Sequence, residues 1–185
     1  MPLGTQYAQQ DCSLARTLEV VGERWTLLIL RDCFLGVRRF ADFAAHLDIS
    51  KAVLTERLGG LVDAGLLRTV PRGARHDYVL TERGLSLWPV TFTMTQWGEE
   101  HLAPLGRRRV FEHRPCGEEL QASGPCSACG QVPEPHEIDS YAGPGARGLR
   151  TDAVSRDLRG RRPLLAPVGT GLPHLDSSQE PAESF

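Results

Sequence analysis

The chain is expected to fold as a mainly α protein with one small β-hairpin, followed by a small Cys/His-rich appendage. Three observations carry this expectation. Residues 46–84, HLDISKAVLTERLGGLVDAGLLRTVPRGARHDYVLTERG, read in order as helix, tight exit, strand, charged turn, strand and a new helix start. Two helical stretches with apolar faces precede them, at 23–34 and 39–47. Beyond residue 110, His113, Cys116, Cys126 and Cys129 form two closely spaced pairs. A short helix, a tight turn and a capped second helix make a helix-turn-helix, and the hairpin that follows at once makes it a winged one.

The first element is a helix from about Ser13 to Val21, with Leu14, Leu18 and Val21 on one side. Residues 23–34 (ERWTLLILRDCF) are almost wholly apolar in the middle, so this helix must be buried, and Cys33 within it reads as a small core residue. Phe40, Phe43 and Leu47 give the next short helix its packing face, and Asp48 and Ile49 form the turn. Ser50 stands where an N-cap belongs, its hydroxyl able to accept from a free amide of the first turn. Leu54, Leu58 and Leu61 then recur at helical spacing and turn inward, leaving Ala52, Thr55, Glu56 and Gly59 on the opposite face. Gly65 permits the positive φ that ends the helix. Residues 67–70 and 78–80 read as strands around a turn containing Pro71, Arg72, Gly73 and Arg75. Thr81 caps a segment holding Leu85, Leu87 and Trp88. Pro89 bends or restarts it, and 90–102 carries Phe92, Met94, Trp97 and Leu102.

The charge pattern points the second helix and the hairpin at duplex DNA. Between Ile49 and Arg75 there are five basic residues, Lys51, Arg57, Arg68, Arg72 and Arg75, against two acids, Glu56 and Asp63. A local positive excess suits phosphate contact. Ser50 and Lys51 occupy the end of the helix that a recognition helix pushes into a major groove, with small residues that let the backbone come close. The same order of elements also occurs in α+β domains that bind no DNA, and in winged helices that serve as protein-binding adaptors.

The blocks Cys12, Gly22–Arg31 (GERWTLLILR), Arg39-Phe40, Ile49-Ser50-Lys51, Leu54-Thr55-Glu56-Arg57-Leu58, Leu61, Gly65-Leu66, Tyr78–Gly84 (YVLTERG) and Trp97-Gly98 occur in an order that resembles the HxlR family of bacterial transcription regulators, related to the MarR group. The likeness runs through roughly the first hundred residues. It implies a homodimeric winged-helix protein on a pseudo-palindromic operator, one recognition helix and wing per half-site, more often a repressor than an activator. It also implies Ser50, Lys51, Ala52, Thr55 and Glu56 near base edges and adjacent phosphates, Arg39 and Arg57 flanking, and Arg72 and Arg75 as backbone contacts of the wing. The chain departs from the family at Ala52, where a basic or polar residue is frequent, and at Glu56, where an uncharged polar one is, so no operator sequence carries over.

Composition agrees with a domain and an appendage. A chain of 185 residues with 41% hydrophobic and 24% charged residues has the balance of a globular protein with one ordinary core. There is no run of eighteen apolar residues, and MPLGTQYAQQD lacks the basic and apolar regions of a signal peptide, so a cytoplasmic protein is expected. The net charge of −2 is unevenly spread, with fourteen basic against twelve acidic residues in 1–110 and seven against eleven in 111–185. No Gly-rich phosphate loop, nucleophile motif or carboxylate pair of persuasive spacing is present, and catalysis is not expected. The apolar residues left over on the first helix and on 82–102 are expected either to form the dimer interface or to complete the monomer core.

His113-x2-Cys116 and Cys126-x2-Cys129 have the arrangement of a small zinc ribbon over 111–139, with His136 as a spare ligand. Closed coordination by three cysteines and a histidine leaves no open position for water, which makes the ion structural or sensory rather than hydrolytic. Free thiols, or a disulfide between Cys126 and Cys129, fit the same spacing. Cys12 begins the first helix, where amide groups favour a thiolate. The resemblance implies that a cysteine here can sense oxidants or electrophiles, whereas the adjacent Asp11 and the lack of a nearby lysine argue for a plain packing role. Residues 140–185, rich in Gly, Pro, Arg and Ser, are expected as a flexible tail, with at most a turn of helix within 154–165. Arg150, Arg156, Arg159, Arg161 and Arg162 are expected to be solvated or to touch DNA phosphates.

Overall fold

The computed structural model describes residue 7 and residues 9–169. Helices α1 (Ser13–Val21), α2 (Thr26–Phe34), α3 (Phe40–Leu47) and α4 (Lys51–Asp63) are followed by strands β1 (Leu67–Arg72) and β2 (Arg75–Leu80), then α5 (Glu82–Leu85) and α6 (Trp88–Leu102). This is the expected winged helix-turn-helix. Ile29, Leu30 and Phe34 of α2, Phe43 of α3, and Leu54, Leu58 and Leu61 of α4 are buried together at its centre. Asp48 takes φ 55° at the C-terminus of α3. This left-handed residue lets the chain turn within the three residues between the helices. The Ser50 hydroxyl accepts from the Val53 amide at 3.3 Å, and Gly65, at φ 68°, ends the helix with Leu66 N–H donating to the Leu61 carbonyl at 2.9 Å.

The hairpin is longer than expected. β1 and β2 pair antiparallel from Leu67↔Leu80 to Arg72↔Arg75, so Pro71 and Arg72 lie in the strand and only Gly73 and Ala74 form the turn. Gly73 at φ 60° supplies the conformation a two-residue hairpin needs. Thr81 caps α5 by accepting from the Gly84 amide at 3.1 Å, and Pro89 sits in the first turn of α6, where its missing N–H costs nothing. Among the described residues, no helix is long and apolar enough to cross a membrane.

The region after 102 departs most from expectation. Strands β3 (Arg109–His113), β4 (Glu118–Glu119), β5 (Ile138–Ala142) and β6 (Arg162–Pro163), with helix α7 (Ala153–Asp157) between the last two, form an antiparallel sheet in the order β4-β3-β5-β6. Residues 140–169 were expected to be flexible, but Val154, Leu158, Leu164 and Val168 are buried in the same core cluster as α2–α4, and aromatic contacts join the two halves. Phe111 on β3 lies 5.5 Å from Trp88 and 5.4 Å from Phe92, and Trp88 lies 5.1 Å from Phe34. Backbone bonds add to this, with Leu165 N–H donating to Phe34 O at 2.7 Å and Val168 N–H to Gly36 O at 3.0 Å. The expectation failed because the apolar residues of this segment come in short groups interrupted by Gly, Pro and Arg, so neither a helical nor a strand period emerges. Residues 170–185 lie outside the described residues.

Of the arginines of this segment only Arg162 is buried; Arg150, Arg156, Arg159 and Arg161 are exposed, as expected, but each is tethered to the fold. Arg162 is buried against Asp157 at 2.7 Å, and Arg161 pairs with Glu112 over the Tyr141 ring. Arg150 donates to the Ala45 carbonyl at 2.7 Å, Arg156 to Thr151 O at 2.7 Å, and Arg159 to Gly148 O and Arg150 O.

Candidate nucleic-acid interface and metal centre

The recognition helix and wing enclose a cleft of about 600 Å³ between α3, the N-terminus of α4 and the hairpin. Arg39, Lys51, Arg72, Arg75 and His76 line it beside Phe40 and Tyr78, and no carboxylate does. The capped start of α4 adds its free amides and positive dipole end to this cationic wall. Ser50, Lys51, Ala52, Thr55 and Glu56 are all exposed. Thr55 Oγ1 donates back to the Lys51 carbonyl at 2.8 Å, which fixes its rotamer.

Two of the expected basic contacts already have partners. Arg57 is half-buried and bridges Glu23 at 3.0 Å and Glu56 at 3.3 Å. Arg72 donates from Nε to Asp77 at 2.8 Å, which leaves its terminal nitrogens open to the cleft. Arg39 reaches Asp42 only at 4.0 Å. Asp42 has its carboxyl raised above the usual range because burial outweighs the attraction of Arg39 and Arg72. His76, which the sequence reading missed, stacks edge-on against Tyr78 at 4.9 Å in the same wall. Its signal was its place in the strand, opposite Pro71 and next to Arg75.

The second cluster lies at the far end of β3. His113 ends that strand, Cys116 follows in the turn that Gly117 closes at φ 67°, and Cys126 and Cys129 sit in a second turn closed by Gly130 at φ 72°. The four candidate ligand atoms lie within 4.8 Å of one another, and Cys129 Sγ is 3.5 Å from His113 Nδ1. A tetrahedral ion with bonds of about 2.0 to 2.3 Å needs ligand separations of about 3.3 to 3.8 Å, so the residues present fit a zinc-sized ion with small adjustments. His113 and Cys126 are buried, whereas Cys129 is exposed. Backbone amides of Cys129 and Ala128 outweigh burial and hold the Cys126 thiol down at about 6, while hydrogen bonding with Cys129 pushes Cys116 up to about 11. His136, the spare ligand of the sequence reading, is exposed on the 3-10 turn Pro135–Glu137 and is not in the cluster. All five cysteines are free, so Cys126 and Cys129 form no disulfide.

Cys12 is exposed at the N-terminal boundary of α1 and makes no side-chain capping bond. Cys33 is buried in α2, and burial raises its thiol far above the ordinary range. The apolar residues expected either at an interface or in the core fall into both groups, with Leu85 and Leu87 half-buried between them. Val21, Trp88 and Phe92 are buried, whereas Leu14 and Leu18 on α1 and Val90, Met94, Trp97 and Leu102 on α6 are exposed.

A winged helix-turn-helix with a cationic cleft between recognition helix and wing defines a class of DNA-binding transcription regulators. Comparison with known proteins narrows the class: the pattern of the HxlR-like helix-turn-helix family matches residues 20–105. An uncharacterized HTH-type transcriptional regulator of Mycobacterium tuberculosis (strain ATCC 25618 / H37Rv) is 42% identical over 137 residues, covering 72% of this chain and 87% of that protein. The chain belongs to the HxlR-like family of helix-turn-helix transcriptional regulators. The HTH-type regulator YdeP of Bacillus subtilis (strain 168) is 31% identical over 108 residues, 54% of this chain and 83% of its own. The crystal structure of PA1607, a candidate transcription factor, superposes with a TM-score of 0.58 at 34% identity, covering 67% of this chain and 89% of its own.

Proposed function

We propose that this protein is a homodimeric, sequence-specific repressor that binds a pseudo-palindromic operator. The observation that carries the reading is the cleft in which Arg39, Lys51, Arg72 and Arg75 converge with no carboxylate in its wall. In this reading Ser50, Lys51, Ala52, Thr55 and Glu56 face base edges and adjoining phosphates, and Arg39, Arg72 and Arg75 grip the backbone. Arg57, held by Glu23 and Glu56, orients the recognition helix more than it contacts phosphate.

The dimer is built from the exposed leucines of α1 and from Val90, Met94 and Trp97, which recur on one face of α6. Two-fold symmetry then places half-sites about one helical turn apart. Zinc on His113, Cys116, Cys126 and Cys129 closes the outer end of the sheet as a structural ion, and action on genomic DNA places the protein in the cytoplasm. The protein-adaptor reading retains one supporting observation, the two-thirds-exposed Glu56 in the middle of the recognition helix.

Fluorescence anisotropy with duplex DNA across a salt series separates the two. As a DNA binder, the protein loses affinity steeply with salt, and Arg75→Ala reduces the salt slope by about one. Binding indifferent to salt and to Arg75 would favour the adaptor.

A further inference from the structure

A second cavity, of about 690 Å³, is lined by residues of α2, the ends of α3 and α6, and the region after residue 102. Arg31, Arg108, Arg109, Arg147, Arg150 and Arg159 line it together with His46, and no carboxylate does. Three of these seven basic side chains have acidic partners outside the lining. Arg31 and His46 share Asp32 at 2.6 and 2.7 Å, and Arg150 reaches Asp152 at 3.3 Å and Asp48 at 3.6 Å.

The other four are not neutralised in this way. Arg108 donates to the Leu102 carbonyl at 2.6 Å, Arg109 to the Leu158 carbonyl at 3.0 Å through both terminal nitrogens, and Arg159 to the Gly148 and Arg150 carbonyls. A carbonyl positions a guanidinium without cancelling its charge. Arg147 has no partner among the described residues. The Glu99 carboxylate lies behind this group and accepts the backbone amides of Arg108 and Arg109 at 2.8 and 3.1 Å. Burial, with added repulsion from Arg31, outweighs the attraction of Asp32 and Glu99 and lowers the Arg109 guanidinium to about 10. Leu105, Leu149 and Leu158 supply apolar wall between the cations.

We propose that this cavity binds an amphipathic organic anion, its carboxylate, phosphate or sulfonate head held by Arg108, Arg109, Arg147 and Arg159 and its apolar body laid against the three leucines. Planar guanidiniums recognise such heads through paired hydrogen bonds, and the volume is that of a small-molecule site. The concave shape and the leucines favour a small molecule over a duplex backbone. The cavity lies mostly on residues beyond the family's matched segment, 20–105, and touches the helix-turn-helix through two braces. His46 in the last turn of α3 is tied to Asp32, and Arg150 donates to the Ala45 carbonyl of the same turn. A bound anion therefore acts on the helix that precedes the recognition helix. The site itself stands on this geometry and does not rest on the DNA-binding reading.

The test is a fluorescence titration of the full chain with 8-anilinonaphthalene-1-sulfonate, beside its uncharged twin N-phenyl-1-naphthylamine. The expected result is saturable binding of one sulfonate per chain, at least about tenfold tighter than the twin, because a charge-assisted contact separates the two. Arg147→Gln removes no intramolecular bond, so the fold survives, and it weakens sulfonate binding about threefold or more. Arg108→Gln does the same, whereas Arg75→Gln in the wing cleft has no effect. Absence of saturable binding, equal affinity for the twin, indifference to Arg147 and Arg108, or loss on Arg75→Gln would overturn the proposal. So would ready displacement of the sulfonate by a short duplex whose own binding falls with Arg147→Gln, since the arginines would then be a phosphate-backbone surface.

Discussion

His46 Nδ1 on α3 lies 2.7 Å from Oδ2 of Asp32 on α2, and the Asp32 side chain is completely buried. The second carboxylate oxygen accepts from Arg31 at 2.9 and 2.6 Å. The pair fixes the register of α2 against α3. Replacing His46 by Leu would leave one oxygen of a buried carboxylate without a partner. The expected cost is about 2 to 3 kcal/mol of stability, read as a lower midpoint in urea unfolding. An unchanged midpoint would show that the pair is dispensable.

Gly59 lies on the exposed face of α4, where a Cβ would meet nothing within 4 Å. Gly59→Ala should therefore stabilise the free protein by about 0.5 to 1 kcal/mol through helix propensity. If that face meets the major groove closely, the same methyl weakens DNA binding. Unfolding and anisotropy measurements should thus move in opposite directions, and unchanged DNA affinity would take Gly59 out of the contact.

The metal centre predicts one zinc per chain after purification without added metal, and loss of that zinc in Cys126→Ser. Cys126 belongs to the shared core cluster as well as to the ligand set, so chelation should lower the melting temperature of the whole chain. A metal-free protein with the same melting temperature would remove the ion from the account.

Trp97 is 58% exposed on α6 and flanked by exposed Met94. Introducing a charge there, as Trp97→Glu, should shift the protein from dimer to monomer in analytical ultracentrifugation, because an unpaired carboxylate would be desolvated at the interface. A dimer that tolerates the substitution would place the interface elsewhere.

The parts of this fold that were legible in the sequence are those whose residues announce a period or a terminus. Leu54, Leu58 and Leu61 set the inward face of α4, Ser50 marked its start and Gly65 its end, and each took that role. The four metal-ligand candidates were legible from spacing alone, since a two-residue gap in a tight turn forces its flanking side chains together. The C-terminal sheet was not legible. β4 and β6 are two residues each, too short to alternate; Val154 and Leu158 lie among polar neighbours, and Leu164 and Val168 in a proline-broken stretch with no period. The tethers of its arginines were hidden because Arg150, Arg156 and Arg159 donate to backbone carbonyls, which no sequence pattern marks, and Arg161 pairs with Glu112 far away in the chain. His76 and the tie between Arg57 and Glu23 were missed for a related reason: each depends on a neighbour brought in by the tertiary fold.

Sequence-specific DNA binding is read out by selecting fragmented genomic DNA on the purified protein at near-physiological salt. The expected result is enrichment of a two-fold symmetric motif whose half-sites lie about one helical turn apart, about 10 base pairs. Salt-sensitive retention with no enriched motif, or no retention at all, would contradict it.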